Sequence, residues 1–373
     1  MFDDHNNTMI QATQAIRIAW PWGYSGSVPS LNRGLPSTIT LDNLPTQESF
    51  YNPLKPSPAY AANPRNKITY VMEYNLGIQR QITSSLSLEA NYVGSLGRHL
   101  NQPVSWNTAL YPGPGLISAR QPFPQYTGTL GNITNLGTSN YNGLLTKVEK
   151  RISSGLSFLA SYTWSKSLDI LSEGGAGGVA NLYNLRGDYG PSDFDIRQMF
   201  VLSGTYELPV GKGKKALASG GALSNALFGG WTIGGIANVR TGQPFSVLAG
   251  GDIANVGSSN QRAQVVGDPD TGFTQSRLQW FNTAAFRTPD TFTFGNSGRN
   301  NVRGPRNTGV DFLASKEFSI TESKKLQFRA EFFNLLNHAR FDLPTNNVQS
   351  SSFGTIFSAG VPRDIQFALK LLY

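Results

Sequence analysis

The C-terminal strand sets the strongest constraint on the fold. Ile365, Phe367, Leu369, Leu371 and Tyr373 alternate with Asp364, Gln366, Ala368 and Lys370, so an apolar side chain recurs at every second position up to the last residue. A period of two sends successive side chains to opposite sides of an extended backbone, whereas a helix face recurs every three or four residues. The segment is therefore a β-strand with one apolar face. The pattern repeats upstream. Leu86, Leu88, Ala90 and Tyr92 enclose Ser87, Glu89 and Asn91; Leu156, Phe158, Ala160, Tyr162 and Trp164 enclose Ser157, Ser161 and Thr163. Phe200, Leu202, Gly204, Tyr206 and Leu208 alternate with Val201, Ser203, Thr205 and Glu207. Between Leu326, Phe328, Ala330 and Phe332 stand Gln327, Arg329 and Glu331, three polar groups on one face that need water or partners.

Reading every such segment predicts about ten strands, near residues 10–18, 68–82, 86–98, 140–152, 156–169, 197–210, 230–243, 309–320, 325–338 and 363–373. Their connections alternate between short ones (Thr83–Ser85, Ser153–Gly155 and Thr321–Lys324, with Gly211–Gly229 the exception) and long ones of roughly 25 to 65 residues. Tight turns at one end and long loops at the other characterise barrels that span an outer membrane, with the long loops extracellular. Gln79–Tyr92 also aligns with Glu149–Tyr162 at an offset of 70 residues, and each copy reads as strand, three-residue turn, strand. The repeat unit is a hairpin, not a solenoid module.

Composition narrows the class. Only 14% of residues are charged, against about 25% in an average soluble domain, while 42 aromatic residues supply surface to bury, which argues against disorder and coiled coils. There is no cysteine, hence neither disulfides nor thiolate metal sites. No run of 18 apolar residues exists, and the best stretch, 228–239, is short and broken by glycines. A membrane-spanning chain of this kind must be a closed sheet. Met1–His5 lacks the basic and apolar regions of a secretory signal, so an outer-membrane placement expects the natural N-terminus upstream. The net charge of +8 is scattered over strand ends, with one cluster at Lys212, Lys214 and Lys215 in a Gly-rich turn; this suits solvent or lipid headgroups and not nucleic acid.

Catalytic chemistry has no foothold in the sequence. His5, His99 and His338 lie far apart, no Gly-x-Ser-x-Gly elbow occurs, and Gly211–Lys215 lacks phosphate-loop spacing. The reading is a non-enzyme without cofactor. Asp188, Asp193 and Asp195 share one Gly-rich loop; the expected role is loop capping through backbone amides and Arg186 or Arg197, with hard-cation ligation such as Ca²⁺ the alternative. Tyr162, Trp164, Tyr206 and Trp231 fall near strand ends or on outward faces, where amphipathic rings favour the headgroup level. A final strand ending on an aromatic, here Ile365, Phe367, Leu369, Leu371 and Tyr373, is expected to be recognised by the barrel assembly machinery through strand pairing.

From about Arg65 to Tyr373 the chain resembles the Oar-like TonB-dependent receptors. The matching stretches are ordered along the chain: Tyr141-Asn142 leading to Glu149-Lys150-Arg151, then Ser161-Tyr162-Thr163-Trp164-Ser165-Lys166-Ser167 and Arg186-Gly187-Asp188-Tyr189-Gly190 with Asp193, Asp195 and Arg197. Leu208–Lys214, Gly230-Trp231, Gly242-Gln243-Pro244-Phe245, Phe281–Phe286, Arg303-Gly304-Pro305 and Arg329–His338 follow. The resemblance implies an all-β, transmembrane, antiparallel up-and-down barrel of 22 strands in the cell outer membrane of a Gram-negative bacterium. It also implies a plug domain and an N-terminal region that touches TonB, neither of which is seen in residues 1–373. The chain thus reads as the C-terminal portion of such a receptor, in contact with outer-membrane lipid and lipopolysaccharide. Uptake of a scarce ligand (siderophore, saccharide or peptide) is the expected function. An adhesive or structural outer-membrane barrel is the alternative, and a soluble carbohydrate-binding β-sandwich, which would bury the apolar strand faces, is a third.

Overall fold

The computed structural model describes residues 66–125, 131–172, 178–211, 213–321 and 323–373, with short paired segments at 31–32, 35–36 and 61–62. Nine long strands form its wall: β1 (Tyr70–Thr83), β2 (Leu86–Ser105), β3 (Gly131–Ser153), β4 (Leu156–Asp169) and β5 (Gln198–Glu207). The remainder are β6 (Trp231–Arg240), β7 (Asn307–Ser319), β8 (Lys325–Phe333) and β9 (Asp364–Leu372). Each pairs antiparallel with the next in the chain, and β1 and β9 keep open outer edges among the described residues. Nine of the ten expected strands are present; the segment 10–18 lies outside the described residues.

The boundaries differ for local reasons. β2 and β3 run on past the alternating pattern because they pair with each other as far as Ser105↔Gly131, across irregularities beside His99, whose φ is +55°. β8 stops at Phe333, short of the expected 338. Asn334 there takes a φ of +50°, and its side chain accepts from His338 N at 3.0 Å and donates to His338 O at 3.2 Å, closing a turn that ends the ladder. The turn between β3 and β4 has positive φ at both Ser154 (+53°) and Gly155 (+80°), the two-residue geometry that matches strand twist. Of the connections at that end, only Leu208–Gly230 is long, and it contains a helix, α1 (Ala222–Phe228).

The register joins the apolar faces of all nine strands into one surface. One transverse row runs Leu86, Lys150, Phe158, Gly204, Gly235, Phe312, Phe332, Ile365, each directly opposite the next. Every acidic residue within the nine strands, Glu89, Glu149, Asp311 and Glu331 among them, stands on the other face. There Lys147 lies 3.1 Å from Glu149 and 4.0 Å from Glu89, Lys325 lies 3.3 Å from Glu317, and Arg329 pairs with Glu331. The apolar face is bare: Leu76 is 74%, Ile78 73%, Leu369 70% and Phe367 67% exposed. A soluble sandwich would cover such a face, because leaving a large apolar side chain in water forfeits about 1.5–3 kcal/mol each.

Candidate functional site

The hydrophobic core of the described residues lies in the long loops and not under the sheet. Phe245, Val247, Phe281, Ala285, Phe286 and Val302 of the β6–β7 loop (241–306) form a buried cluster, against which Val348 and Phe353 of the β8–β9 loop (334–363) pack. Phe281 is its centre, with ring centroids 5.6 Å from Phe245, 5.7 Å from Phe286 and 5.2 Å from Phe353, mostly edge to face. A second small cluster joins Ala254 and Val256 to Ala109 and Ile117 of the β2–β3 loop (106–130). Arg120 crosses the same junction, donating to Tyr111 O at 2.6 Å and Asn255 O at 2.8 Å.

Three arginines, in four pairs with aspartates, then tie the β6–β7 loop to the end of β4 and the β4–β5 loop (170–197). Arg262 donates to Asp188 at 2.5 Å; Arg299 reaches Asp169, and Asp193 at 2.9 Å; Arg303 reaches Asp195. Asp169, Asp188, Asp195 and Arg299 are buried. Buried ions persist only when hydrogen bonds replace water, and here they do for all but Asp188 Oδ2, which has no partner among the described residues. Ser167 N donates to Asp195 at 2.7 Å, Ser172 Oγ to Asp169 at 2.7 Å, and Arg262 Nε to Ser297 O at 2.8 Å. Capping by arginine was expected for Asp188, Asp193 and Asp195, but the main partners are not those named from the sequence. Arg197 sits 3.8 Å from Asp195, whereas Arg186 forms no ion pair among the described residues. Loop neighbours in sequence were the obvious candidates; the fold instead supplies arginines more than seventy positions away. The three carboxylates point to three different guanidinium groups and do not converge on one centre. Tyr183, in the same loop, donates to Thr108 O at 3.4 Å, and burial raises its phenol above the usual tyrosine range.

The result is an ordered platform built from all four long loops at one end of a sheet that is polar on one side and apolar on the other. The family model for the outer membrane beta barrel domain matches residues 2–366. The chain belongs to that family. It is thus an outer-membrane barrel chain, and its place is the Gram-negative outer membrane.

This barrel chain is similar in fold to several solved outer-membrane proteins. The outer membrane transporter YddB from Escherichia coli aligns at a TM-score of 0.45 and 11% identity over 85% of this chain and 34% of that one. BauA, the ferric preacinetobactin receptor from Acinetobacter baumannii, aligns at 0.39 and 10% identity over 82% and 30%. The pyoverdine receptor FpvA from Pseudomonas aeruginosa aligns at 0.38 and 14% identity over 83% and 30%. The barrel chain therefore spans about a third of the length of these structures. No curated protein sequence matches it.

The aromatics singled out from the sequence share the apolar face. Trp164, 58% exposed, stands eight residues along β4 from Leu156; Leu156 faces Tyr206, Tyr206 faces Ile233, and Trp231 lies two residues further. Trp164 and Trp231 are thus separated by about 34 Å measured along the strands. At the strand tilt of about 40° usual in membrane barrels, that separation is commensurate with an apolar band about 25 Å tall. In β9, Phe367 stacks on Phe328 at 6.3 Å and 19°, and Ile365, Leu369 and Leu371 continue the same face in register with Phe332, Phe328 and Leu326. Nothing in the sequence alone joins Arg262, Arg299, Phe281 and Phe286 into a site. Gly242–Phe245, Phe281–Phe286, Arg303–Pro305 and the Asp188–Asp195 stretch carry the family resemblance, and they meet in space.

Proposed function

We propose that this chain is part of the wall and external ligand platform of a TonB-dependent receptor, which takes up a scarce ligand across the outer membrane. The observation that carries the reading is the loop platform: long loops joined by a phenylalanine core and buried arginine–aspartate pairs above a membrane sheet. A purely structural barrel has no need to order its long loops in this way, whereas loops of this length that fold are characteristically functional. Residues 1–373 supply the C-terminal portion of the barrel in this reading. The two open edges at β1 and β9 cannot face hydrocarbon, so further strands close the sheet. The partner TonB would engage an N-terminal region, and the barrel assembly machinery would recognise β9. Ile365, Phe367, Leu369 and Leu371 face lipid and lipopolysaccharide, and Tyr162, Trp164, Tyr206 and Trp231 mark the two interfaces. No catalytic step is assigned to the chain.

The test is uptake by cells producing the complete receptor, with and without TonB, using an iron-loaded siderophore, a labelled oligosaccharide and a labelled peptide as probes. TonB-dependent accumulation of one probe is expected. Surface binding of a probe or of extracellular matrix that is indifferent to TonB, with no accumulation, would instead support the adhesive barrel.

A further inference from the structure

The connection Leu208–Gly230 is the exception among the short turns, and its exposed side chains are of the wrong kind for an aqueous turn. Leu223 is 74%, Leu227 56% and Phe228 57% exposed in α1, and Leu223 and Leu227, four residues apart, share one helix face. The helix is seated on the apolar side of the sheet. Trp231 Nε1 donates to Leu227 O at 2.9 Å, and Lys316 Nζ donates to Gly229 O and, at 3.3 Å, to Asn225 O. Both Trp231 and Lys316 belong to the apolar face, directly opposite one another in β6 and β7. The exposed leucines therefore continue the surface of Leu156, Tyr206 and Ile233, not the polar interior.

The charges on the apolar face at this end of the sheet are one-signed. On the apolar face at the short-turn end stand Arg80 of β1 and Lys150 of β3, besides Lys316, with no acidic residue from any of the nine strands on that face. Lys215 and Lys214 precede the helix and are exposed; Lys214 is 3.9 Å from Glu207, itself on the polar face. Apolar side chains beside cations at the rim of a bilayer-spanning surface match the boundary between acyl chains and phosphate headgroups.

We propose that α1 is a lipid hook, which dips Leu223, Leu227 and Phe228 into the leaflet at the short-turn end, and that the basic residues along the same rim, among them Arg80, Lys150 and Lys215, hold the phosphates of anionic phospholipid. This rests on the reading of the apolar face as lipid-facing, and the experiment separates the two. The chain has no cysteine, so single nitroxide labels can be placed at Leu227→Cys, at Leu369→Cys and at Thr321→Cys in the β7–β8 turn, in outer-membrane vesicles carrying the protein. Labels at 227 and 369 are both expected to be relaxed by oxygen and shielded from a water-soluble nickel chelate, with 321 the reverse. An aqueous signal at 227 with a lipid signal at 369 overturns the hook alone; an aqueous signal at 369 overturns the lipid face beneath it. For the headgroup, phosphatidylglycerol is expected to be enriched over phosphatidylethanolamine in the lipid that copurifies with the protein. That enrichment should fall about fivefold for each of Arg80→Gln, Lys150→Gln and Lys215→Gln. No enrichment, or enrichment the substitutions leave unchanged, overturns the phosphate-binding part.

Discussion

Lys316 holds its ammonium 5.6 Å from the ring centre of Trp231 and 5.2 Å from that of Phe318, while donating to the carbonyls at the end of α1. A cation on the lipid side of a sheet is costly unless aromatic faces and carbonyl oxygens replace its water, and this one has both. Lys316→Met keeps the bulk and removes the charge and the donors, taking from Gly229 O its lysine partner, while Asn225 O keeps its bond from Gly229 N at 2.9 Å. We expect a loss of about 1–3 kcal/mol, read as a lower midpoint of urea unfolding in detergent micelles. An unchanged midpoint would mean that the lysine contributes nothing through these carbonyls.

Arg303 and Asp195 make a second separable claim. Arg303→Ala leaves the Asp195 carboxylate, 1% exposed, with Ser167 N and the more distant Arg197 as its partners, and is expected to cost loop stability up to the roughly 3–5 kcal/mol of a broken buried pair. The double variant Arg303→Ala/Asp195→Ala should recover part of that loss, because neither charge is then buried alone. Hydrogen exchange over the β4–β5 loop measures both. Equal losses in the single and double variants would show that the pair does not act as a unit.

Phe281→Ala removes the centre of the loop core. We expect about 3–5 kcal/mol of local destabilisation, faster tryptic cleavage at Arg277 and Arg287 in the same loop, and an unchanged β-sheet circular dichroism signal. Loss of the sheet signal would show that the loops and the wall fold as one unit.

In β9, Phe367→Asp places a carboxylate on the apolar face, at a cost on the order of 1–3 kcal/mol depending on depth, and should lower the yield of heat-modifiable protein in the membrane. Gln366→Asp, on the polar face opposite Glu331, should be tolerated. Deleting Tyr373 should also reduce assembled protein. If the Gln366 variant assembled as poorly as the Phe367 variant, the two faces would be assigned the wrong way round.

What could be read from the chain alone was whatever depends on local periodicity. Alternation at Leu86–Tyr92, Leu156–Trp164 and Ile365–Tyr373 is a property of neighbours, and so are the turn at Ser154-Gly155 and the difference between short and long connections. Those features sufficed for strand, hairpin and barrel class. Alternation says nothing about which strand stands beside which or how far one slides past the next. Only the register shows that Phe158, Phe312 and Ile365 occupy one row, that the acidic residues all face the other way, and that Lys316 belongs with Trp231. The platform was further out of reach. Arg299 and Asp169 are 130 positions apart, and Phe281 meets Phe353 across a whole hairpin. Such contacts carry no periodic trace, because irregular loops are ordered by burial and charge pairing once the strands have brought their ends together. Sequence therefore determined the kind of wall this protein builds, and the tertiary structure decided what the wall carries at its rim.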